Sequence, residues 1–123
     1  ARGDFATSAT LSPTLGRAIA AWLNSESKAQ PCVRHIIEVG AGDGSLMGAV
    51  RQSLGWWKRR QFTFHIVETS PVLRAEQQKR LGSKVCWHHD LESALAHAQG
   101  GHAFIYHNEL LDAPNATHLK ESA

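Results

Sequence analysis

Cysteine is scarce in this chain. Its two copies, Cys32 and Cys86, lie far apart with no CxxC spacing, which excludes a disulfide framework and a zinc knuckle and fits a reducing compartment. An excess of charge of one sign is missing as well. Thirteen basic and eleven acidic side chains leave a net +2, and the densest basic cluster is the short "WWKRR" at 56–60. Such a balance implies neither a nucleic-acid nor a membrane partner. Long apolar runs are absent too: "AIAAWL" (18–23) and "AFIY" (103–106) fall far short of the ~20 residues a spanning helix needs, so no membrane insertion is expected. The opening "ARGDF" lacks the basic and then apolar pattern of a secretory signal, and no internal repeat stands out. What is present is a globular composition, 42% hydrophobic and 20% charged over 123 residues, with room for one small core.

Ser12 and Pro13 read as an N-cap and first-turn pair. Leu15, Ile19, Trp22 and Leu23 follow at helical spacing through "SPTLGRAIAAWL", and "NSESKAQP" (24–31) has the breaker-rich character of a loop. Next comes "VRHIIEV" (33–39), short, rich in β-branched residues and stopped by glycine, then a helical pattern "SLMGAVRQSL" from Ser45. The grammar repeats: "QFTFHIVE" (61–68) is a strand, and Thr69 or Ser70 caps a helix begun by Pro71 and carried by Val72, Leu73, Ala75 and Leu81. "KVCWH" (84–88) is a third strand followed by the short helix "DLESALAHA", and "HAFIYHN" (102–108) is a fourth strand. Strands alternating with helices predict an α/β domain with a parallel sheet, whose ligands sit beyond the carboxyl ends of the strands.

At one such end stands "IIEVGAGDGSL" (36–46), with Gly40, Gly42 and Gly44 spaced as Gly-x-Gly-x-Gly. Glycine lets backbone approach a ligand with no Cβ in between. A dinucleotide fingerprint requires its third glycine at 45, where this chain has Ser45. Charge argues the same way, because Glu38 and Asp43 would repel a pyrophosphate but attract a ligand bearing an ammonium and a sulfonium. S-adenosylmethionine carries both cations and no phosphate. Glu68 ends the second strand about where nucleotide-binding α/β folds keep an acid for the ribose hydroxyls. By itself, an acid there is more often a solvated residue or a helix cap.

The stretches "GDFATSATLSPTLG", "IIEVGAGDGSLM", "FHIVETSPVLRAEQQKRL", "VCWHHDLESAL" and "HNELLDA" together resemble the class I S-adenosylmethionine-dependent methyltransferases. Within them the chain is similar to the N-terminal portion of the MidA-like family, which includes the mitochondrial complex I assembly arginine methyltransferase. The resemblance implies an α/β, Rossmann-like fold, a parallel sheet flanked by helices and truncated after its fourth strand. It divides the chain into a cofactor-covering segment and helix (1–32), an S-adenosylmethionine-binding half (33–113) and a divergent tail (114–123). It implies that Gly3 and Thr7, with Asp4 and Phe5, lie over the cofactor, that Glu38, Gly40, Gly42 and Gly44 hold its methionine end, and that Glu68 holds its ribose. Asn108 and Glu109 would face the transferred methyl and its acceptor. Asp90 has the chemistry to accept a proton from the adenine amine, and equally to cap the helix at "LESAL".

The activity so implied is methylation of arginine on a protein substrate, a complex I subunit being the candidate, in the cytoplasm of a bacterium or the mitochondrial matrix of a eukaryote. An alternative stays open, because a full core of this class uses seven strands and four are counted here: a truncated, non-catalytic cofactor-binding or assembly-factor module. A nicotinamide-dependent oxidoreductase is a weaker third reading, disfavoured by Ser45 and Asp43. The eight histidines are expected to be structural. His88 and His89 are adjacent on a strand and so point to opposite faces, no HExxH or His-x-x-x-His pair occurs, and no metal is expected. Trp56 and Trp57 beside "KRR" are expected by default to give amphipathic cover for the sheet, a contact surface being the other reading.

Overall fold

Two periodicities build the chain, the alternation of strands and the 3.6-residue repeat of helices. The computed structural model describes residues 2–98 and 102–107, with side chains from Ser12 onward. The strands are β1 (His35–Val39), β2 (Thr63–Val67), β3 (Val85–His88) and β4 (Phe104–His107); the helices are α1 (Arg2–Ala29), α2 (Ser45–Arg59), α3 (Pro71–Leu81) and α4 (Leu91–His97). All strand pairs are parallel, in the order β3-β2-β1-β4. The order reverses between β1 and β4, and α/β sheets bind ligands in the crevice at such a switch point.

Both faces of the sheet are covered, as parallel sheets require. On one face Ile36, Phe64, Ile66, Phe104 and Tyr106 pack with Leu23 of α1 and with Met47 and Val50 of α2. On the other, Ile37, Val67 and Ala103 meet Ala94 and Ala98 at α4. The helix starts follow local chemistry. The Ser70 hydroxyl accepts from Leu73 N at 3.2 Å with Pro71 in the first turn, and Asp90 Oδ1 accepts from Ser93 N at 2.8 Å to open α4.

Three expectations are corrected. The first helix does not start at Ser12–Pro13: α1 begins at Arg2 with Pro13 inside it, and the Ser12 hydroxyl lies 3.1 Å from that of Ser45 on α2, where tertiary contact outweighs the local start signal. Nor is 24–31 a loop, since α1 runs on to Ala29, helped by hydrogen bonds from Ser27 Oγ to Asn24 O and from Gln30 Nε2 to Glu26 Oε1. Finally, Trp56 and Trp57 do not cover the sheet. Gly55, at φ 84° and ψ 166°, breaks the helical path of α2, leaving the two rings 53% and 74% exposed. The Arg60 guanidinium lies 4.7 Å from the Trp56 ring centre.

Gly16 sets how closely α1 approaches α2. A Cβ there would sit 2.5 Å from the Ala49 Cβ and 2.8 Å from its carbonyl carbon, distances that force backbone to move. Overpacking of this kind costs about 1–3 kcal/mol, offset by the ~1 kcal/mol that alanine gains over glycine in a helix. Gly16→Ala is therefore expected to lower stability by up to about 2 kcal/mol in urea melts, and a higher midpoint would contradict this contact.

Candidate cofactor site

The loop after β1 alternates glycine with Ala41 and Asp43, and its glycines hold a conformation that side chains resist: Gly40, Gly42 and Gly44 have φ of 70°, 58° and 87°. Gly40 N still donates to Val67 O at 2.9 Å, continuing the β1–β2 ladder, and Gly44 N closes a turn onto Ala41 O at 2.9 Å. A Cβ on Gly40 would meet nothing within 4 Å, so open space lies directly over its backbone. The loop is thus a rigid rim with an approachable surface.

Glu38 lies beneath this rim, fully buried on β1. It pairs in register with Tyr106 of β4, whose hydroxyl donates to Glu38 Oε1 at 2.9 Å. Its other oxygen, Oε2, is buried without a hydrogen-bond partner among the described residues. Burial pushes this carboxyl up to about 8; the Tyr106 hydrogen bond works against that push and the Asp43 charge adds to it. At neutral pH and without a cation beside it, Glu38 is a neutral acid.

Glu68, one residue past β2, is 7% exposed. Its Oε2 accepts from Ser70 N at 3.1 Å and its Oε1 from Gln77 Nε2 at 3.0 Å. Gln77, fully buried on α3, also donates through Nε2 to Gly42 O at 2.8 Å and accepts from Trp87 Nε1 at 2.9 Å. One amide therefore joins the glycine loop, Glu68 and β3, with both donors and its acceptor engaged. Arg74 adds a second tie, donating to Glu68 O and sharing a 3.1 Å contact with His89 Nδ1.

Asp43 is placed differently from the two glutamates. Its Oδ1 accepts from Ser45 N at 2.9 Å, and its Oδ2 lies 3.9 Å from Arg80, whose Nε donates to Asp43 O at 3.0 Å. Burial acts to raise its carboxyl, but the Ser45 hydrogen bonds and the Arg80 charge outweigh that and hold it below the usual carboxylate range. Asp43 thus shapes the turn, with part of its charge answered by Arg80.

Gly40, Gly42, Gly44, Glu38 and Glu68 are thus gathered at the carboxyl ends of β1 and β2, as the sequence predicts. Asp90 follows β3 and uses Oδ1 as the α4 cap, with its carboxyl held down by the Ser93 hydrogen bonds. Gly3 and Thr7 stand on α1, but their burial and side-chain placement, like Asn108 and Glu109 as a whole, lie outside the described residues. Sequence reasoning missed Gln77, Arg74 and Tyr106. The first two lie inside "SPVLRAEQQKRL", and a polar residue there was open to notice; only the strand register reveals Tyr106. A cavity of about 370 Å³ lined by Arg51, Trp56, Arg59, Arg60 and Lys84 lies toward the amino ends of β2 and β3, away from the glycine loop.

Residues 14–117 match a family model described as "Putative S-adenosyl-L-methionine-dependent methyltransferase". The chain is 33% identical over 128 aligned positions to the protein arginine methyltransferase NDUFAF7 homolog, mitochondrial, of Drosophila melanogaster, an alignment covering 95% of this chain and 28% of that protein. The Caenorhabditis elegans protein of the same name is 34% identical over 83 positions, 66% of this chain and 20% of its own length. Among solved structures, an uncharacterized protein from Burkholderia thailandensis superposes with a TM-score of 0.62 at 26% identity, over 85% of this chain and 28% of that one. The chain spans less than a third of each of these three proteins.

Proposed function

The chain belongs to this family of S-adenosyl-L-methionine-dependent methyltransferases, and from that membership we propose that its glycine loop, Glu38 and Glu68 hold S-adenosylmethionine for methyl transfer to an arginine of a protein. The observation that carries this is the buried Oε2 of Glu38, without a hydrogen-bond partner among the described residues, beneath a glycine-rich rim. A buried polar atom without a partner costs about 1–3 kcal/mol, and a ligand cation would relieve that cost. The residues present fit the group. Glu38 would meet its cationic end, Gly40 and Gly42 would allow close approach, and Glu68 would accept from both ribose hydroxyls.

When bound, the cofactor supplies a methyl carbon on a sulfonium, and in-line displacement then depends mainly on alignment of the acceptor. Glu109, in our reading, holds the guanidinium through a two-oxygen fork and directs one nitrogen, as arginine geometry favours. Asn108 contacts cofactor or acceptor beside it, Asp90 receives the adenine amine, and Gly3 and Thr7 cover the site. Support for arginine comes from the names of the fly and nematode relatives, which also support the mitochondrial matrix as compartment in a eukaryote. A complex I subunit is the acceptor we propose. No helix among the described residues is long and apolar enough to cross a membrane.

The raised Glu38 carboxyl supplies the test. Taken from an ordinary 4.5 to about 8 in the fold, it contributes stability that is fully present below pH 4.5 and is lost as pH rises through 8. Binding a cation requires Glu38 to ionise, so affinity for S-adenosylmethionine is expected to rise between pH 6 and 8, by at most about tenfold per unit, and then to level. Calorimetric titration should show that slope in the parent chain, no slope in Glu38→Gln, and no binding of NADH. Preference for NADH would sink the assignment. Transfer of labelled methyl to arginine peptides tests the chemistry, and binding without transfer would favour the non-catalytic module.

A further inference from the structure

Four histidines that are scattered in sequence meet on the α4 face of the sheet. His65 of β2 is fully buried, His88 ends β3 half-buried, and His97 ends α4 exposed. The three ring centres form a nearly equilateral triangle: 5.1 Å between His65 and His88, 5.4 Å from each of these to His97. One nitrogen from each ring lies within 4.8 Å of the others. Behind them, His35 of β1 places Nδ1 3.0 Å from His65 Nε2, while His65 Nδ1 faces His88 Nε2 at 2.9 Å.

We propose that His65, His88 and His97 form a binding site for a divalent transition-metal ion, zinc being the fitting candidate, with His35 orienting His65 from behind. Three imidazoles with a fourth position left open are an established zinc donor set, at Zn–N of about 2.0–2.1 Å. A tetrahedral ion with those bonds holds its nitrogens about 3.3–3.4 Å apart. The 2.9 Å His65–His88 contact must open by about 0.4 Å, and the widest pair, within 4.8 Å, must close by up to about 1.4 Å. His97 can supply that movement, because it is the last residue of α4 and exposed.

The arrangement behind the site agrees. A ligating histidine ordinarily donates its other N–H to an acceptor that fixes ring and tautomer. With His65 Nδ1 on the metal, its proton sits on Nε2 and points at His35 Nδ1. The proton now shared between His65 and His88 leaves that gap by a change of tautomer, so every imidazole stays neutral and no proton is gained or lost overall. A plain hydrogen-bond chain through His35, His65 and His88 accounts for the buried ring but leaves unexplained why exposed His97 closes the triangle. Bound metal would pin α4 to β2 and β3.

The test uses the 123-residue chain in a Cys32→Ser background, which removes an exposed thiol, stripped with chelator and titrated with Zn²⁺ and Co²⁺. One equivalent is expected to bind, with the visible spectrum of tetrahedral Co²⁺, nitrogen-only ligation in X-ray absorption and a higher melting temperature. His35→Gln should weaken Zn²⁺ by about 10–100-fold, and His97→Ala and His88→Ala by more. His97→Ala removes an exposed side chain, so its metal-free melt should match the parent and separate ligand loss from misfolding. Absence of stoichiometric binding, sulfur in the ligand shell, or affinity unchanged in His97→Ala overturns the proposal.

Discussion

Glu68→Ala is expected to weaken S-adenosylmethionine binding by on the order of a hundredfold or more, since two charge-assisted hydrogen bonds at about 1.5–3 kcal/mol each are lost and 1.4 kcal/mol is tenfold. The carboxylate is aimed before any ligand arrives: Ser70 N and Gln77 Nε2 hold one oxygen each, and each oxygen keeps capacity to accept a ribose hydroxyl. Little ordering cost then falls on the binding step. Glu68→Gln should fall between parent and alanine, because it keeps one acceptor but turns an NH₂ toward Ser70 N or Gln77 Nε2. Calorimetric titration of the three chains, with circular dichroism to confirm folding, measures the order. An alanine variant that binds as the parent does would remove Glu68 from the cofactor site.

Much of this arrangement is legible in the sequence where signals are local. β-Branched runs stopped by glycine mark β1, Ser70–Pro71 opens α3, Asp90 opens α4, and "SLMGAVRQSL" ends where Gly55 breaks α2. The glycine loop, Glu38 and Glu68 are legible because their roles follow from their place relative to strand ends. What is not legible depends on partners distant in the chain. Glu38 reads as a standing negative charge, yet strand alternation puts it on the same face as Ile36, where burial, outweighing the Tyr106 hydrogen bond, leaves it neutral until a cation arrives. Asp43 reads as a charge that favours a cationic ligand, and the sequence does not show that Ser45 and Arg80 engage it in the fold. The histidine triangle draws one ring each from β2, β3 and α4, so no spacing rule finds it; the adjacency of His88 and His89 correctly puts their side chains on opposite sides but says nothing of His65. The start of α1 fails for a related reason, since Ser12 engages α2 rather than opening its own helix.

Gln77→Leu is expected to be among the most damaging single changes in the chain, lowering stability by about 2–5 kcal/mol out of the 5–15 typical of a domain. Leucine fits the volume but satisfies nothing. Trp87 Nε1 loses its acceptor, and Gly42 O and Glu68 Oε1 lose a shared donor; each group left unpaired costs about 1–3 kcal/mol, less at Trp87, which water can partly reach. Gln77→Glu separates shape from polarity. It keeps an acceptor for Trp87 while turning a carboxylate against Glu68 and Gly42 O, so like-charge repulsion replaces two hydrogen bonds. That variant should be at least as unstable as the leucine one at neutral pH and should recover in part as acid protonates the new carboxyl, whereas the leucine variant gains no such relief. Both should also weaken the cofactor, because the same amide aims Glu68 and braces the glycine loop. Urea melts at two pH values measure this pattern, and parent-like stability in Gln77→Leu would show that the amide does not tie loop, acid and strand together.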